Sequence, residues 1–199
     1  MEPVYIFYGR MNPFTRGHES AIQHIVNKAQ QNHAKPVVIV SHSQNTLKNP
    51  LSVNEKKGLI EMSFPGLNVR STSKSAPTII PIVEGLRKNG HTNFTMFLGS
   101  NRLKSFNFIK NVKKVQFGNN RKEGEGVSGT AARAAALRGN MNAFRSLMSN
   151  KLNNNTLRST MNTIKSRLSG SPVPKTKKRV RSPSPPPTTS RRVSSRARK

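Results

Sequence analysis

Short apolar runs alternate along the chain with segments whose apolar residues recur every three or four positions. Residues 4–8 and 37–40 are continuous apolar runs, and residues 94–98 are apolar except for Thr95, which is typical of strands buried on both faces of a parallel sheet. Two shorter strands are predicted at residues 67–70 and 112–117. The pattern therefore predicts five strands.

Helices are predicted between and after these strands. The first has an apolar stripe over residues 21–29 at the helical period, and the second opens with a capping box formed by Ser52 and Glu55. The predicted helices cover residues 17–29, 52–62, 77–87, 103–109, 131–137, 141–149 and 156–168.

Alternation of strands and helices predicts an α/β fold with a Rossmann-like, doubly wound parallel sheet of five strands and helices on both faces. Ligands of such sheets bind beyond the carboxyl ends of the strands. The loops that follow Tyr8, Val40, Leu98 and Phe117 are therefore the places where a site is expected.

The composition changes near the end of the chain. Residues 170–199 are rich in Pro, Ser, Arg and Lys and hold few large apolar side chains, so they are predicted to form a disordered basic tail. We accordingly divide the chain into a domain at residues 1–150, a C-terminal helix at 151–169 and this tail.

The charge of the chain is strongly positive and unevenly distributed. It has 35 Lys and Arg against 7 acidic residues, all Glu, which gives a formal net charge of +28. Residues 151–199 alone hold 14 bases and no acid. Such a chain is expected to bind polyanions, because neutralised phosphates release counterions. Residues 170–199 are thus candidates for binding nucleic acid.

Several protein classes are excluded by what the sequence lacks. There is no Cys, which rules out a disulfide framework and a thiolate metal site. No apolar run approaches the ~18–20 residues that a membrane span needs, and the N-terminus lacks the pattern of a signal peptide. We therefore expect a soluble intracellular protein without a membrane partner.

The loop after the first strand has the composition of an anion site. Gly9 ends the strand, and Gly17 and His18 open the next helix. Backbone N–H groups and the positive end of the helix dipole point at the same place, where His18 can donate to a phosphate oxygen. Arg10 and Arg16 add positive charge. A single His beside a helix start is more often structural, so these residue types alone leave both interpretations open.

The pattern as a whole is more specific. Residues 9–18, GRMNPFTRGH, closely resemble the first signature of the HxGH-class nucleotidyltransferase superfamily, which contains nicotinamide mononucleotide and phosphopantetheine adenylyltransferases and glycerol-3-phosphate cytidylyltransferases. Thr15 replaces the commoner first His, as in the T-x-G-H form of the phosphopantetheine enzymes. The resemblance implies catalytic roles for Thr15 and His18 at the α-phosphate. It also implies nucleotide contacts from Gly9, Arg10, Met11, Asn12 and Gly17.

Residues 127–133 resemble the second signature of this superfamily, S-S/T-T-x-x-R, and follow the fifth predicted strand at a helix start. Gly129 replaces the usual Ser or Thr, which removes one hydroxyl contact and eases a backbone contact. The resemblance implies a catalytic role for Arg133 at the leaving pyrophosphate. The phosphate contacts beside it would come from Val127, Ser128, Gly129 and Thr130. The alternative for the start of this segment is an ordinary helix N-cap.

Two weaker matches complete the predicted site. Gly99, Asn101 and Arg102 follow a strand where members of the superfamily hold the base or the acceptor, with Asn101 in place of the usual Asp. The loop after the second strand resembles the segment that supplies a lysine to the phosphates, for which Lys48 is our choice and Lys56 the reserve. A capping role for Asn101 and a solvated charge for either lysine are the alternatives.

The resemblance covers about residues 3–145 and is closest to cytidylyltransferase-like proteins of bacteriophages and large DNA viruses. It implies transfer of a nucleoside monophosphate from ATP or CTP to a small phosphate-bearing acceptor, with release of pyrophosphate. Mg²⁺ would arrive with the triphosphate, and no metal ligand is assigned to the chain itself. Residue identities leave open the choice between ATP and CTP, the acceptor and the oligomeric state.

The alternative is a nucleotidyltransferase fold whose catalysis has lapsed and whose basic tail holds nucleic acid. Residues 174–183 resemble a nuclear-import signal, and the Ser-Pro and Ser-Arg pairs after them are candidate phosphorylation sites that would lower the charge. Such a tail would suit a nuclear or virion-associated protein.

Overall fold

The centre of the molecule is one parallel sheet of five strands. The structure, a computed structural model, describes residues 2–45, 48–99, 102–117 and 128–170. The strands are β1 (Val4–Gly9), β2 (Lys35–Val40), β3 (Asn68–Ser71), β4 (Phe94–Leu98) and β5 (Lys113–Gln116). All five predicted strands are confirmed, with bounds shifted by no more than two residues.

Helices flank this sheet in the described part of the chain. They are α1 (Arg16–Gln31), α2 (Val53–Ser63), α3 (Ile80–Lys88), α4 (Gly129–Leu137), α5 (Met141–Leu147) and α6 (Asn154–Leu168). The short helix predicted at 103–109 is a 3₁₀ helix of three residues, Lys104–Phe106. Leu103, Phe106 and Ile109 recur at a spacing of three, which is the period of the 3₁₀ helix rather than of the α-helix.

The strand order is β3-β2-β1-β4-β5, and every neighbouring pair is parallel. All five carboxyl ends therefore lie along one edge of the sheet. The order reverses between β1 and β4, and ligands of doubly wound sheets bind in the crevice at such a switch point. The loops after Gly9 and Leu98 border this crevice. The predicted Rossmann-like doubly wound sheet is thus confirmed.

Both faces of the sheet are covered by apolar packing. Val38 and Val40 of β2 belong to a core shared with α1, α2, α4, α5 and α6, while Val37 and Ile39 belong to a second core shared with α3. Because alternate residues of β2 enter opposite cores, the strand is apolar at every one of these positions. This packing accounts for the continuous apolar run in the sequence.

Helix α6 is hydrogen-bonded to the start of α2, close to the edge of the sheet where the strands have their carboxyl ends. Near its end, Arg167 donates to the Pro50 carbonyl oxygen (2.6 Å) and forms two hydrogen bonds to the Glu55 carboxylate (2.6 and 2.9 Å). The described chain ends at Gly170, so the predicted disordered tail at residues 170–199 lies, apart from Gly170, outside the described residues. Over the part that is described, no helix has the length and apolar character needed to cross a membrane.

Candidate active site

The loop after β1 turns sharply at the carboxyl edge of the sheet. A Cβ atom at Gly9 would lie 3.2 Å from the Met11 Cε atom, so the close turn favours glycine. Met11 has a φ of 46° and its side chain is 1% exposed, within the first core. A nucleotide contact at Met11 would therefore come from its backbone.

Asn12 joins this loop to the start of α2. Its side-chain amide nitrogen donates to the Leu51 carbonyl oxygen (3.0 Å), and its Oδ1 accepts from the Leu51 N–H (2.9 Å). Both residues are buried. The Asn12 side chain thus holds the loop in place, and a contact with nucleotide at this position would also come from the backbone.

Thr15 and His18 form one unit at the start of α1. The Thr15 N–H donates to His18 Nδ1 (3.1 Å), and the Thr15 Oγ1 lies 2.9 Å from the same nitrogen. Because Nδ1 accepts the backbone N–H, the ring hydrogen of neutral His18 resides on Nε2. Thr15 is buried, whereas His18 is half-buried and stacks on Phe14. Thr15 therefore orients the imidazole ring.

Arg133 of α4 contacts the same loop. Its guanidinium group donates to the Asn12 carbonyl oxygen (2.8 Å) and to the Thr130 hydroxyl oxygen (3.1 Å). A Cβ atom at Gly129 would lie 3.3 Å from that carbonyl oxygen, so glycine lets α4 approach the loop closely. This packing explains why Gly replaces Ser or Thr there. The two predicted signatures thus meet at Asn12.

Two hydroxyl groups stand at the start of α4. The Ser128 Oγ accepts from the Ala131 N–H (3.1 Å), so Ser128 is the N-cap of the helix. The Thr130 Oγ1 accepts from Arg133. Because both oxygens act as acceptors in these bonds, each hydroxyl retains a hydrogen that can be donated to a phosphate oxygen. Helix capping and phosphate binding are therefore compatible at Ser128.

Three arginines gather at the switch point of the sheet. Burial lowers the pKa of Arg102 and of Arg133, and the nearby charge of Arg10 lowers both further. Burial raises the pKa of Tyr8, against the opposing effect of Arg102 and Arg10. Like charges held close together and partly out of water are unfavourable unless an anion balances them. The cluster is accordingly suited to a polyphosphate.

The other predicted residues fall around this cluster or outside the described chain. Gly17 lies in the first turn of α1. Gly99 follows β4, and its carbonyl oxygen accepts from the Arg102 N–H (2.9 Å). Asn101 and Val127 lie outside the described residues.

The two candidate lysines differ in their surroundings. Lys48 is exposed in a turn in which its backbone N–H donates to Asn45 Oδ1 (2.8 Å). Lys56 is 0% exposed, and its Nζ donates to the carbonyl oxygens of Ser41 (2.6 Å) and Ser43 (3.0 Å). Lys56 is therefore neither a solvated charge nor available to a phosphate, and Lys48 stays the predicted lysine.

A cavity of about 530 Å³ opens beside the crevice, at the carboxyl ends of β2 and β3. We call it the β2–β3 cavity, and its three walls are residues 42–45, 52–54 and 72–74. The Thr72 hydroxyl oxygen accepts from the His42 N–H (2.8 Å) and lies 3.0 Å from His42 Nδ1. These contacts join two of the three walls.

Tyr8, His42 and Lys74 are not among the site residues predicted from the sequence. Tyr8 interacts with the arginine cluster, and His42 and Lys74 line the β2–β3 cavity. Tyr8 belongs to an apolar run that resembles core, and the other two lie in loops without a recognised motif. Their position was the available signal, because all three lie at or just beyond the carboxyl end of a predicted strand.

Comparison with known proteins finds a shared fold. No protein-family model and no curated protein matches the chain. The structure is similar to the bifunctional NMN adenylyltransferase/ADP ribose pyrophosphatase of Francisella tularensis, solved with AMP and a manganese ion. The TM-score is 0.56 at 23% identity, over 85% of this chain and 52% of that one. The chain therefore spans about half the length of the Francisella protein.

Two structures of the nicotinic acid mononucleotide adenylyltransferase of Plasmodium falciparum, complexed with NaAD and with APC, are also similar. Their TM-scores are 0.53 and 0.55 at 15% identity, over 79% of this chain and 94% of each. At these identities the likeness concerns the fold. The chain thus shares the Rossmann-like fold of these mononucleotide adenylyltransferases.

Asn12→Ala should lower the free energy of unfolding by about 2–4 kcal/mol, because it leaves the buried N–H and carbonyl groups of Leu51 without their partners. Denaturant unfolding followed by circular dichroism measures the change. Asn27→Ala removes an exposed amide on α1 and should change the same quantity by less than about 0.5 kcal/mol. Equal effects of the two substitutions would contradict the role assigned to Asn12.

The buried ammonium group of Lys56 should make stability depend on pH. Burial lowers its pKa from 10.5 to about 8. Between these values the unfolded chain binds more protons than the folded chain, so the contribution of Lys56 to stability rises with pH. We expect this contribution to be about 2 kcal/mol more favourable at pH ~9.5 than at pH ~7.5. Urea unfolding of the wild type and of Lys56→Met at both pH values isolates the contribution of Lys56 to the free energy of unfolding. Identical pH dependence in the two proteins would count against the prediction.

Proposed function

We propose that the chain transfers a nucleoside monophosphate from ATP or CTP to a small phosphate-bearing acceptor and releases pyrophosphate. The observation that carries the proposal is the contact of Arg133, from the second signature segment, with the Asn12 carbonyl oxygen in the first. The arginine cluster around this contact suits a triphosphate. The fold shared with mononucleotide adenylyltransferases supports the same class of reaction.

In this proposal an oxygen of the acceptor phosphate attacks the α-phosphorus, and the bond from the α-phosphorus to the bridging oxygen of the β-phosphate breaks. No covalent intermediate with the protein is needed, so positioning and electrostatic stabilisation supply the catalysis. His18 donates its Nε2 hydrogen to a non-bridging oxygen of the α-phosphate as charge grows there. Thr15 contributes by fixing the ring rather than by contacting the phosphate, because its hydroxyl is directed at Nδ1.

The leaving pyrophosphate is assigned to the start of α4. Arg133 offers a forked cation, and the hydroxyls of Ser128 and Thr130 offer hydrogens beside the positive end of the helix dipole. Arg10 and Arg102 complete the positive surface. Backbone groups of residues 9–12, Gly17 and Gly99 would supply the close contacts to the nucleotide.

The β2–β3 cavity is the proposed place of the acceptor. It adjoins the loop that holds the phosphates, because Leu51, bonded to Asn12, immediately precedes its wall at residues 52–54. His42 and Lys74 on its walls are polar or cationic. An acceptor held there would present its phosphate toward the crevice between β1 and β4.

A divalent cation is expected with the nucleotide. The described residues contain no group of three His or carboxylate side chains that could hold a metal ion. The donor set therefore suits Mg²⁺ bound mainly by the triphosphate oxygens, where it would neutralise charge on the leaving group.

The direct test is a pyrophosphate-release screen of the four nucleoside triphosphates against a panel of phosphate acceptors. The base and the acceptor are the unknowns, since backbone contacts usually distinguish adenine from cytosine. Absence of release with every pair would refute the transferase proposal. A phage or viral origin and a nuclear or virion-associated location stay predictions from the sequence.

His18→Ala should leave the fold intact and lower turnover by ~10²-fold or more, because a donor to the transition-state charge is lost. Steady-state pyrophosphate release measures it. His91→Ala is the matched control, since His91 precedes β4 at the opposite edge of the sheet. An unchanged rate in His18→Ala would remove His18 from the mechanism.

We further propose that the basic tail brings nucleic acid to this edge of the domain. Arg167 bonds to Pro50 and Glu55 beside the β2–β3 cavity, so the last described residue, Gly170, lies three positions beyond this contact. Residues 171–199 then carry ten bases and no acid. If catalysis has lapsed, this binding would be the main function, which is the alternative to the enzyme.

A chain truncated after Gly170 should lose most of its affinity for an oligonucleotide, with a weaker salt dependence, because ten positive charges are removed. Fluorescence anisotropy at several salt concentrations measures both. Pyrophosphate release should persist in the truncated chain if the tail is an accessory. Undiminished oligonucleotide binding would contradict a role for the tail.

A further inference from the structure

Lys56 is unusual in its surroundings. It is the one buried charged side chain among the described residues. Within that part of the chain, no carboxylate lies within salt-bridge distance of its Nζ. Burying an ammonium group without a carboxylate partner is costly, and an apolar side chain of similar size would avoid that cost. What lysine adds is a pair of hydrogen bonds to the backbone after β2, at Ser41 and Ser43.

These two bonds connect walls of the β2–β3 cavity. Ser43 lies in the wall at residues 42–45, and Ser41 immediately precedes that wall. Lys56 itself lies on α2, whose first residues form the wall at 52–54. The distance between the two walls is therefore fixed by the length of one lysine side chain. The third wall, at residues 72–74, is linked to the wall at residues 42–45, because the Thr72 hydroxyl oxygen accepts from the His42 N–H.

The phosphate region is held independently of Lys56. The Asn12 side chain bonds to Leu51, Arg133 bonds to the Asn12 carbonyl oxygen, and Thr15 bonds to His18. None of these contacts includes Lys56 or the carbonyl groups that it binds. A change at Lys56 should thus alter the cavity and leave the phosphate region in place.

We propose that Lys56 is a positioning residue that sets the width of the β2–β3 cavity and thereby determines how tightly the acceptor binds. The inference rests on the proposed function in that it takes this cavity as the acceptor site. Lys56 touches neither reactant and acts through the Ser41 and Ser43 carbonyl groups. Its loss should therefore raise the KM for the acceptor with little change in kcat or in the KM for the triphosphate.

Lys56→Met removes both hydrogen bonds and preserves most of the side-chain volume. We expect it to raise the acceptor KM by ~10-fold and to change the triphosphate KM by less than ~2-fold. The assay uses ATP with nicotinamide mononucleotide or CTP with glycerol 3-phosphate, whichever pair the wild type converts. A parallel rise in both KM values, or a loss of kcat at constant acceptor KM, would overturn the proposal.

Two further variants separate positioning from a general structural effect. Lys57→Met makes the same substitution at the next residue, whose side chain is partly exposed and pairs with Glu61, and it should leave both KM values unchanged. Lys56→Arg retains a positively charged N–H donor and should restore part of the acceptor affinity that Lys56→Met loses. Equal acceptor KM values for Lys56→Met and Lys57→Met would refute the assignment.

Hydrogen–deuterium exchange of the ligand-free protein gives a readout that does not depend on activity. Amides in residues 42–45 should exchange faster in Lys56→Met than in the wild type, while those of residues 9–18 should not change. If the wild type releases no pyrophosphate, the proposed function fails and this measurement still decides the role of Lys56. If Lys56→Met does not fold, Lys56→Gln takes its place. Unaltered exchange over residues 42–45 in a folded variant would overturn the proposal.

Discussion

The contacts of Asn12 are the constraint on which the proposed site depends. Its side chain bonds to both backbone groups of Leu51 before α2, and its carbonyl oxygen accepts from Arg133 of α4. One residue therefore connects three segments that are far apart in the sequence. The buried side chains of Met11 and Phe14 anchor the same loop in the first core. The bonds of Asn12 therefore fix the position of the Arg133 guanidinium relative to the loop that leads into His18.

Much of this architecture could be predicted from the sequence, because local patterns encode it. Continuous apolar runs predicted the strands, and the capping box of Ser52 and Glu55 predicted the start of α2 correctly. The parallel sheet then implied that the loops after β1 and β4 are adjacent. Two signature segments predicted the place of Arg133 next to the first loop. Their proximity follows from strand order, which alternation and right-handed crossovers strongly restrict.

What could not be predicted depends on contacts between distant residues. Asn12 was expected to contact nucleotide, yet its side chain bonds to Leu51, 39 positions away. Gly129 was interpreted as a position where one hydroxyl contact is lost. Its close packing against the Asn12 carbonyl oxygen accounts for the absence of a side chain there. Lys48 and Lys56 are eight positions apart, and both have polar neighbours in the sequence. Only the tertiary structure shows that Lys48 is exposed and Lys56 is buried. In each case the sequence identified the residue as a candidate, but it did not show which group that residue contacts in the fold.

The two subsites differ in how the fold prepares them for ligand. At the phosphate region, Arg10, Arg102 and Arg133 are held near one another, and burial with mutual repulsion lowers the pKa of the two that are less exposed. In the proposed function, binding a polyphosphate there would relieve a repulsion that exists in the free protein. The β2–β3 cavity, which is the proposed acceptor site, is instead held by hydrogen bonds of Lys56 and of the His42 N–H, and Lys74 lies on its wall. Because Leu51 is bonded to Asn12 and immediately precedes the cavity wall at residues 52–54, the two regions are joined through one pair of residues. That connection is what would bring an acceptor phosphate into line with the α-phosphorus.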